Sequence, residues 1–448
     1  MKPRVPPRVF LIAGEPSGDA IGARLMAALR REHREPVQFV GVGGPRMSAA
    51  GLHSIFPMAD LSVMGFTELL PALPRLAMRL RQTINAVRAE APALVVGIDS
   101  KAFCLRVLGA ISAERRRGGT LDPAPALVQY VGPSAWAFAN APERAARLNQ
   151  VVDELLVLLP FEPALFEGAG LRCTFVGHPA VDRADVVEPE SDKIVDGWAD
   201  TSRGGTLCLL PGSRPQEVHS NLPVMLAAAE SIAGSYVPHS DQHRDGITLT
   251  AASRSTGMRA PGAINRLLLP APPSVRTLVE EYVHARPHGS LPAVVASDGT
   301  RHAAYAASCL ALACSGTVNV ELAAAGTPQV ALYRSSRLTS LIVRHVLRPT
   351  IRHATLPNLL NTHPAYHSLH PPAGASQRHG LIPELLFEEA TAEAVAEAAL
   401  RLLHDPAKME AQVAASARAL ESLSVKDAAG RAVPSATVAA RALLRHLA

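Results

Sequence analysis

Pro211-Gly212-Ser213-Arg214 and Cys314-Ser315-Gly316-Thr317 are glycine turns, each lying between an apolar run and a segment with helical spacing. Where a strand gives way to a helix at such a turn, unpaired backbone N–H groups point outward with the positive end of the helix dipole behind them. That setting suits a phosphate. Arg214 on the first turn can neutralise charge on a departing diphosphate, the largest need in a reaction that expels one. Glu321 follows Thr317 by four residues, on one face of the second helix, where a carboxylate can bind vicinal ribose hydroxyls. Together these residues suggest a nucleoside diphosphate held between the two turns. The competing reading of Arg214 is an exposed arginine in a salt bridge with Glu217. Asn358, in Leu356-Pro357-Asn358-Leu359-Leu360, is a polar residue inside an apolar turn and means little alone.

A second group of polar residues closes the strands of the first half: Glu15, Ser17 and Asp19, then Asp99 and Ser100, then Ser134 with Trp136, then His178. A carboxylate directly after a buried strand can accept a proton from a bound hydroxyl. Asp99 is the best placed for this; the alternative is a cap for the helix beginning near Ser100. Asp19 is expected to cap its own helix. His178, between Gly177 and Pro179, either orients a ligand or serves as a hydrogen-bonded turn residue.

The elements that must position these groups alternate strand and helix. Val9–Ala13, Phe39–Val42, Ala93–Ile98, Ala126–Val131, Leu155–Leu159 and Thr174–Val176 read as strands in the first half. After a polar stretch from Asp182 to Gly205, read as a linker, the alternation restarts at Thr206–Leu210. Ile247–Ala251, Leu267–Pro270, Val294–Ala296, Cys309–Ala313 and Gln329–Leu332 follow. Gly234–Gly246 and His363–Gly380 read as surface insertions, and from Thr391 onward alanine-rich helices close the chain. Strands separated by helices imply right-handed crossovers and mostly parallel sheets. The expected architecture is α/β, two doubly wound domains facing each other, with the cleft at the strand carboxyl ends as the default site. The expected boundaries are 1–190, 205–425 and a closing C-terminal helix over 426–448.

Composition narrows the function classes. The chain has 448 residues, 48% hydrophobic and 19% charged, enough to bury cores throughout two domains. Its net charge of +5 comes almost wholly from arginine, with no lysine-rich arm or basic run with interleaved aromatics, so nucleic acid is not an expected partner. Cys104, Cys173, Cys208, Cys309 and Cys314 form no Cys-x-x-Cys pair and read as reduced thiols of a cytosolic protein. Met1–Arg8 has no apolar core, so a secretory signal is not expected, and no run of about 20 apolar residues suggests a membrane span. Leu76, Leu80, Ile84 and Val87, flanked by arginines, and a similar mix over Ser336–Arg348 suit either an anionic lipid surface or a protein core.

Longer motifs carry a family resemblance. Ile12-Ala13-Gly14-Glu15-Pro16-Ser17-Gly18-Asp19, Gly41-Val42-Gly43-Gly44-Pro45-Arg46-Met47 and Asp60-Leu61-Ser62-Val63-Met64-Gly65-Phe66 resemble lipid-A-disaccharide synthase. So do Leu158-Leu159-Pro160-Phe161-Glu162-Pro163, Phe175-Val176-Gly177-His178-Pro179 and the two glycine turns, with Leu356–Leu360 following in family order. The resemblance implies a metal-independent inverting glycosyltransferase without cofactor, with two facing Rossmann-like domains of the GT-B type. It would move 2,3-diacylglucosamine from UDP to the 6-hydroxyl of 2,3-diacylglucosamine 1-phosphate. The lipid acceptor would lie in the N-terminal half and UDP in the C-terminal half.

Carried over by position, Asp99 becomes the base and Arg214 the group that stabilises leaving UDP. Gly212, Ser213, Glu217, Ser315, Gly316, Thr317, Glu321 and Asn358 become UDP contacts. Glu15, Ser17, Gly18, Met64, Trp136 and His178 become acceptor contacts. The resemblance also implies peripheral contact with membrane lipid from the cytoplasmic side of an inner membrane, or in an organelle if the chain is eukaryotic. It leaves monomer and homo-oligomer open. The chain departs from the family after Asp99, where Ser100-Lys101-Ala102-Phe103-Cys104 replaces Ser/Ala-Pro-Asp-Phe-Asn, and at Trp136-Ala137-Phe138, which replaces Trp-Ala-Trp.

Two other readings share the residues: another UDP-sugar transferase or an epimerase of the same plan, and a non-catalytic UDP- or lipid-binding protein. A dinucleotide oxidoreductase is disfavoured, because no Gly-x-Gly-x-x-Gly turn follows the first strand.

Overall fold

The structure is a computed structural model that describes residues 6–61, 66–118, 123–182, 205–237, 263–335, 353–362 and 380–447, with 66–71 described by backbone alone. The chain divides into two compact units, Met1–Arg183 with Leu423–Ala448, and Ala184–Ser422.

The first unit is built on strands β1 (Arg8–Ala13), β2 (Gln38–Val42), β3 (His53–Ser54), β4 (Leu94–Ile98), β5 (Ala126–Tyr130), β6 (Glu154–Val157) and β7 (Arg172–Phe175). They form one parallel sheet in the order β3-β2-β1-β4-β5-β6-β7. Apolar side chains alternate between two cores because successive residues of a strand point to opposite faces. Val9, Leu11 and Ala13 join Leu25 and Leu29 of the helix Pro16–Glu32 and Ala439 and Leu443 of the helix Ser435–Leu444. Phe10 and Ile12 join Val107, Leu108 and Ile111 of the helix Lys101–Arg116. Each large side chain so buried stabilises the unit by about 2 kcal/mol.

The closing segment returns to this first unit and is fastened by two acids. Asp182, at the expected start of the linker, accepts from the Ser435 amide at 3.0 Å and from its hydroxyl at 2.6 Å. Glu154, fully buried in β6, accepts from Thr174 Oγ1 at 2.7 Å, Arg445 Nη2 at 2.6 Å and His446 Nε2 at 2.7 Å. Burial opposes ionisation of Glu154, but His446, Thr174 and Arg445 outweigh it and hold its carboxyl below the usual range.

The second unit carries β8 (Gly205–Leu210), β9 (Ile264–Ala271), β10 (Ala293–Ser297), β11 (Leu310–Cys314), β12 (Gln329–Tyr333) and β13 (Glu384–Leu386). These also form a parallel sheet, in the order β10-β9-β8-β11-β12-β13. The two- and three-residue edge strands β3 and β13 are additions to the pattern expected from sequence. The helix Pro215–Ser235 continues past Gly234, where an insertion was expected. Residues 238–262, holding the expected strand Ile247–Ala251, lie outside the described residues, as do 336–352 and 363–379.

In each sheet the strand order reverses beside a central pair. β1 lies against β4 in the first, with Ala13 opposite Ile98. β8 lies against β11 in the second, with Leu210 opposite Ala313. Loops at the carboxyl ends of such a pair diverge to opposite sides and leave a crevice for a ligand.

Candidate active site

At the β1/β4 switch of the first unit, Asp99 follows β4 directly and adopts φ +55°, in the left-handed region. Ser17, in the first turn of the helix after β1, donates its hydroxyl to Asp99 Oδ2 at 2.8 Å. Gly18 lets that helix come close: a Cβ there would lie 3.1 Å from the Ile98 carbonyl oxygen and 3.6 Å from Asp99 Cβ. Asp99 does not cap the helix Lys101–Arg116. The amides of Phe103 and Cys104 bond to the Ser100 carbonyl instead, and no side chain caps the helix start. A partly buried carboxylate with one hydroxyl partner therefore stands at the crevice of the first sheet. Glu15 occupies the N-cap position of the helix beside it without a side-chain cap bond.

Asp19 does cap a helix, but not its own. Its carboxylate accepts from the amides of Gly44, Arg46 and Met47 at 2.9, 3.0 and 2.9 Å, at the start of the helix Pro45–Ala49. Asp19 sits inside the first turn of the helix Pro16–Glu32, and its short side chain reaches across to the neighbouring one.

His178 is buried, and burial lowers its imidazole pKa to about 4, so the ring is neutral at physiological pH. Nδ1 accepts from the Ala180 amide at 3.2 Å, and the His178 amide donates to the Leu423 carbonyl at 2.9 Å. These are the bonds of a turn residue tied to the returning segment. Trp136 Nε1 donates to Glu162 Oε1 at 3.1 Å, and its ring meets Phe161 edge-on at 5.2 Å. Met64 lies outside the described residues.

Glu162 is a site feature that the sequence reading did not single out, although it closes the Leu158–Pro163 motif. It is 4% exposed and accepts from the Leu159 amide at 3.0 Å as well as from Trp136. Burial raises its carboxyl pKa from 4.5 to about 7. A raised pKa means the folded state holds a proton that the unfolded state releases. The stabilising contribution is whole below pH 4.5 and is lost as pH rises to about 7. Glu162→Gln removes that loss. Its stability relative to the unaltered chain is expected to climb by about 1.4 kcal/mol per pH unit across this window and then level off. Urea unfolding at pH 5 and pH 8 reads the difference, and parallel pH dependence in both proteins would refute it.

At the β8/β11 switch of the second unit stand the two glycine turns. Gly212 adopts φ +123°, and a Cβ on it would lie 2.5 Å from Glu217 Cβ, so the turn requires glycine for both reasons. Glu217 Oε2 accepts from the Ser213 and Arg214 amides at 3.0 and 3.3 Å, while Oε1 pairs with Arg214 Nη1 at 2.9 Å. The alternative salt bridge of Arg214 is thus present, and a carboxylate sits on the amides expected to meet an anion.

The other turn differs. The Ser315 amide bonds the Leu332 carbonyl and the Gly316 amide bonds Asn319 Oδ1 at 2.8 Å. Thr317 and Val318 open the helix Val318–Ala325, where amides have no intrahelical acceptor. A Cβ on Gly316 would point into open space, so neither packing nor a left-handed φ accounts for glycine there. Glu321 Oε2 accepts from Tyr305 Oη at 3.1 Å, and Oε1 lies 3.5 Å from Arg301 Nη2. The sequence reading missed Tyr305 and Arg301, which come from a short helix with no distinctive pattern.

Asn358, carried over as a UDP contact, is bound within the fold. It is fully buried; Oδ1 accepts from the Leu381 and Ile382 amides at 2.6 and 2.9 Å, and Nδ2 donates to the Ile382 carbonyl and to Glu384 Oε1, both at 2.8 Å. The amide joins the helix Leu356–Thr362 to the approach to β13.

Two parallel, doubly wound units, each with polar turns at its switch, define the GT-B class of fold. The solved structure described as the glycotransferase of kitacinnamycin shares it, with a TM-score of 0.51 at 14% identity over 99% of this chain and 100% of that one. The chain belongs to the lipid-A-disaccharide synthetase family, whose model matches residues 9–242 and 265–433, and it is therefore a hexosyltransferase. A lipid-A-disaccharide synthase of Rhodospirillum centenum is 39% identical over 415 residues, covering 92% of this chain and 88% of that protein. A relative in Arabidopsis thaliana, described as "Probable lipid-A-disaccharide synthase, mitochondrial", is 32% identical over 430 residues, 93% of this chain and 83% of that one.

Proposed function

We propose that this chain transfers 2,3-diacylglucosamine from UDP to the 6-hydroxyl of 2,3-diacylglucosamine 1-phosphate, giving the β-1,6-linked disaccharide 1-phosphate and UDP. The observation that carries the reading is the placement of Asp99 at the switch of one sheet and of Gly212 and Gly316 at the switch of the other, in a chain of this family. As the acceptor oxygen bonds to the sugar C1, its proton passes to Asp99, oriented by Ser17. The bond from C1 to the diphosphate oxygen breaks, and the electron pair leaves with UDP. Attack from the face opposite UDP inverts the configuration.

Arg214, shared with Glu217, and the Ser315–Thr317 turn offset the charge developing on UDP. Glu321, held by Tyr305 and Arg301, accepts from the ribose hydroxyls. Glu15, Gly18 and the Trp136 ring lie on the acceptor side, and His178 supports them as a neutral turn residue.

Membrane contact belongs to the same proposal. Among the described residues, no helix is long and apolar enough to cross a membrane. The helix Phe66–Glu90 turns Leu76, Leu80, Ile84 and Val87 to the core and exposes Leu73 and Met78. Those two side chains suit contact with an acyl surface at the cytoplasmic side of an inner membrane, or in an organelle. The related segment Ser336–Arg348 lies outside the described residues.

Mass spectrometry of the product formed from the two acylated sugars in detergent tests the reaction. The expected result is the acylated disaccharide 1-phosphate with one UDP released per product. UDP binding without turnover would favour a non-catalytic role, and isomerised UDP-sugar without transfer would favour an epimerase.

A further inference from the structure

Gln129 sits in β5, where its neighbours Leu127, Val128 and Tyr130 are apolar and buried, and it is itself fully buried. Its Nε2 lies 3.2 Å from the Asp99 carbonyl oxygen, 3.2 Å from that of Tyr130 and 3.3 Å from that of Val131. One carboxamide nitrogen thus gathers the main-chain oxygens at the ends of two adjacent strands.

The backbone at those ends is strained. Asp99 has φ +55° and Val131 has φ +68°. A β-branched residue in the left-handed region is a genuine outlier, and such strain persists only where the surroundings over-determine it. The other end of the Gln129 side chain is also costly. Oε1 is buried with no hydrogen-bond donor among the described residues, and it faces Gly97, where a Cβ would lie 2.6 Å from Oε1 and 2.7 Å from Cys104 Cβ. A buried acceptor left unpaired, a valine at positive φ and a glycine within a central strand are three local penalties around one point. An apolar residue at 129 would remove the first.

We propose that Gln129 is a positioning residue for the transfer reaction, clamping the ends of β4 and β5 so that Asp99 keeps the left-handed turn that presents its carboxylate. The Asp99 amide donates to the Tyr130 carbonyl at 2.9 Å, and its carbonyl accepts from Gln129. With both main-chain groups tied to β5, the Cα–Cβ direction is fixed, and the carboxylate meets Ser17 at one defined place. The proposal rests on the reading of Asp99 as the base.

The test is Gln129→Met, of similar length and without the clamp, measured alone and in an Asp99→Asn background. Alone it is expected to lower kcat about 10- to 100-fold, with the acceptor KM and the UDP affinity unchanged within about twofold. In the Asp99→Asn background it is expected to add nothing, because the group it positions is already gone. An undiminished kcat, or the same fold-loss in both backgrounds, overturns the proposal. Should the Met variant fail to fold, Gln129→Asn, which stays polar but is one methylene too short to reach, is read by the same criteria. Full turnover in Asp99→Asn alone would remove the base assignment instead, so the two failures are distinct.

Discussion

Asp99→Asn lowers kcat about 10³-fold, within the range that a positioned general base contributes, and leaves UDP affinity within about twofold. The substitution keeps the size of the side chain and an oxygen for the Ser17 hydroxyl, so the strand-end turn has no packing reason to change. It removes only the capacity to take a proton. A fall of that size corresponds to about 4 kcal/mol in the barrier, far more than one neutral hydrogen bond supplies. Because Asp99 caps no helix, its loss is expected to leave the melting temperature nearly unchanged. Steady-state transfer by the purified variant with both acylated sugars reads the effect. A loss of stability in step with activity would return Asp99 to a structural role.

Asp19→Ala produces the opposite signature. Its carboxylate, 2% exposed, is the acceptor for three amides of the Gly44–Met47 turn, and Gly44 is glycine because a Cβ there would lie 2.7 Å from Asp19 Cγ. Deleting it leaves two buried donors and a third partly buried one without a partner at the start of a five-residue helix that holds Met47 in the core. Charge-assisted bonds of this kind, lost together with the orphaned donors, cost about 3–5 kcal/mol. Urea unfolding is expected to show that loss with UDP affinity retained. Unchanged stability with a raised acceptor KM would instead mean that Asp19 touches substrate.

The two acids lie 80 positions apart and look alike in the sequence, each near a strand end before a helix, and only their surroundings separate them. What the sequence made legible were the strand–turn–helix units themselves. An apolar run ending in glycine announces a turn wherever it occurs, which is why Gly212 and Gly316 stood out. The Arg214–Glu217 pair was legible for the same reason, being three residues apart on a helix start. Strand order was not. A strand buried on both faces is apolar at every position whichever neighbour it has, so nothing in Val9–Ala13 says that it lies against Leu94–Ile98.

Partners distant in sequence were hidden too. Asp19 reaches amides 25 to 28 positions on, and Asn358 reaches 23 to 26. A polar residue in an apolar turn is equally the mark of a ligand contact and of a buried junction, and the bonds of Asn358 to Leu381–Glu384 could not be read from the turn itself. Gln129 was passed over within the run Ala126–Val131, which reads as a strand with or without it. What it was for required the bent backbone on either side of it.

Ser435 pairs with Asp182 across 253 positions, and Arg445 and His446 pair with Glu154 across 291 and 292. On a ribosome those acids emerge early and must wait for these partners while the whole of the intervening lobe is translated. The opening lobe therefore cannot finish folding until Ser435–His446 has left the exit tunnel, although lobes made first ordinarily settle first. A message cut short before Ser435 yields a product with a naked seam along the Pro16–Glu32 helix, open to quality-control proteases. The helix Ser435–Leu444 thus certifies that synthesis has passed through both lobes.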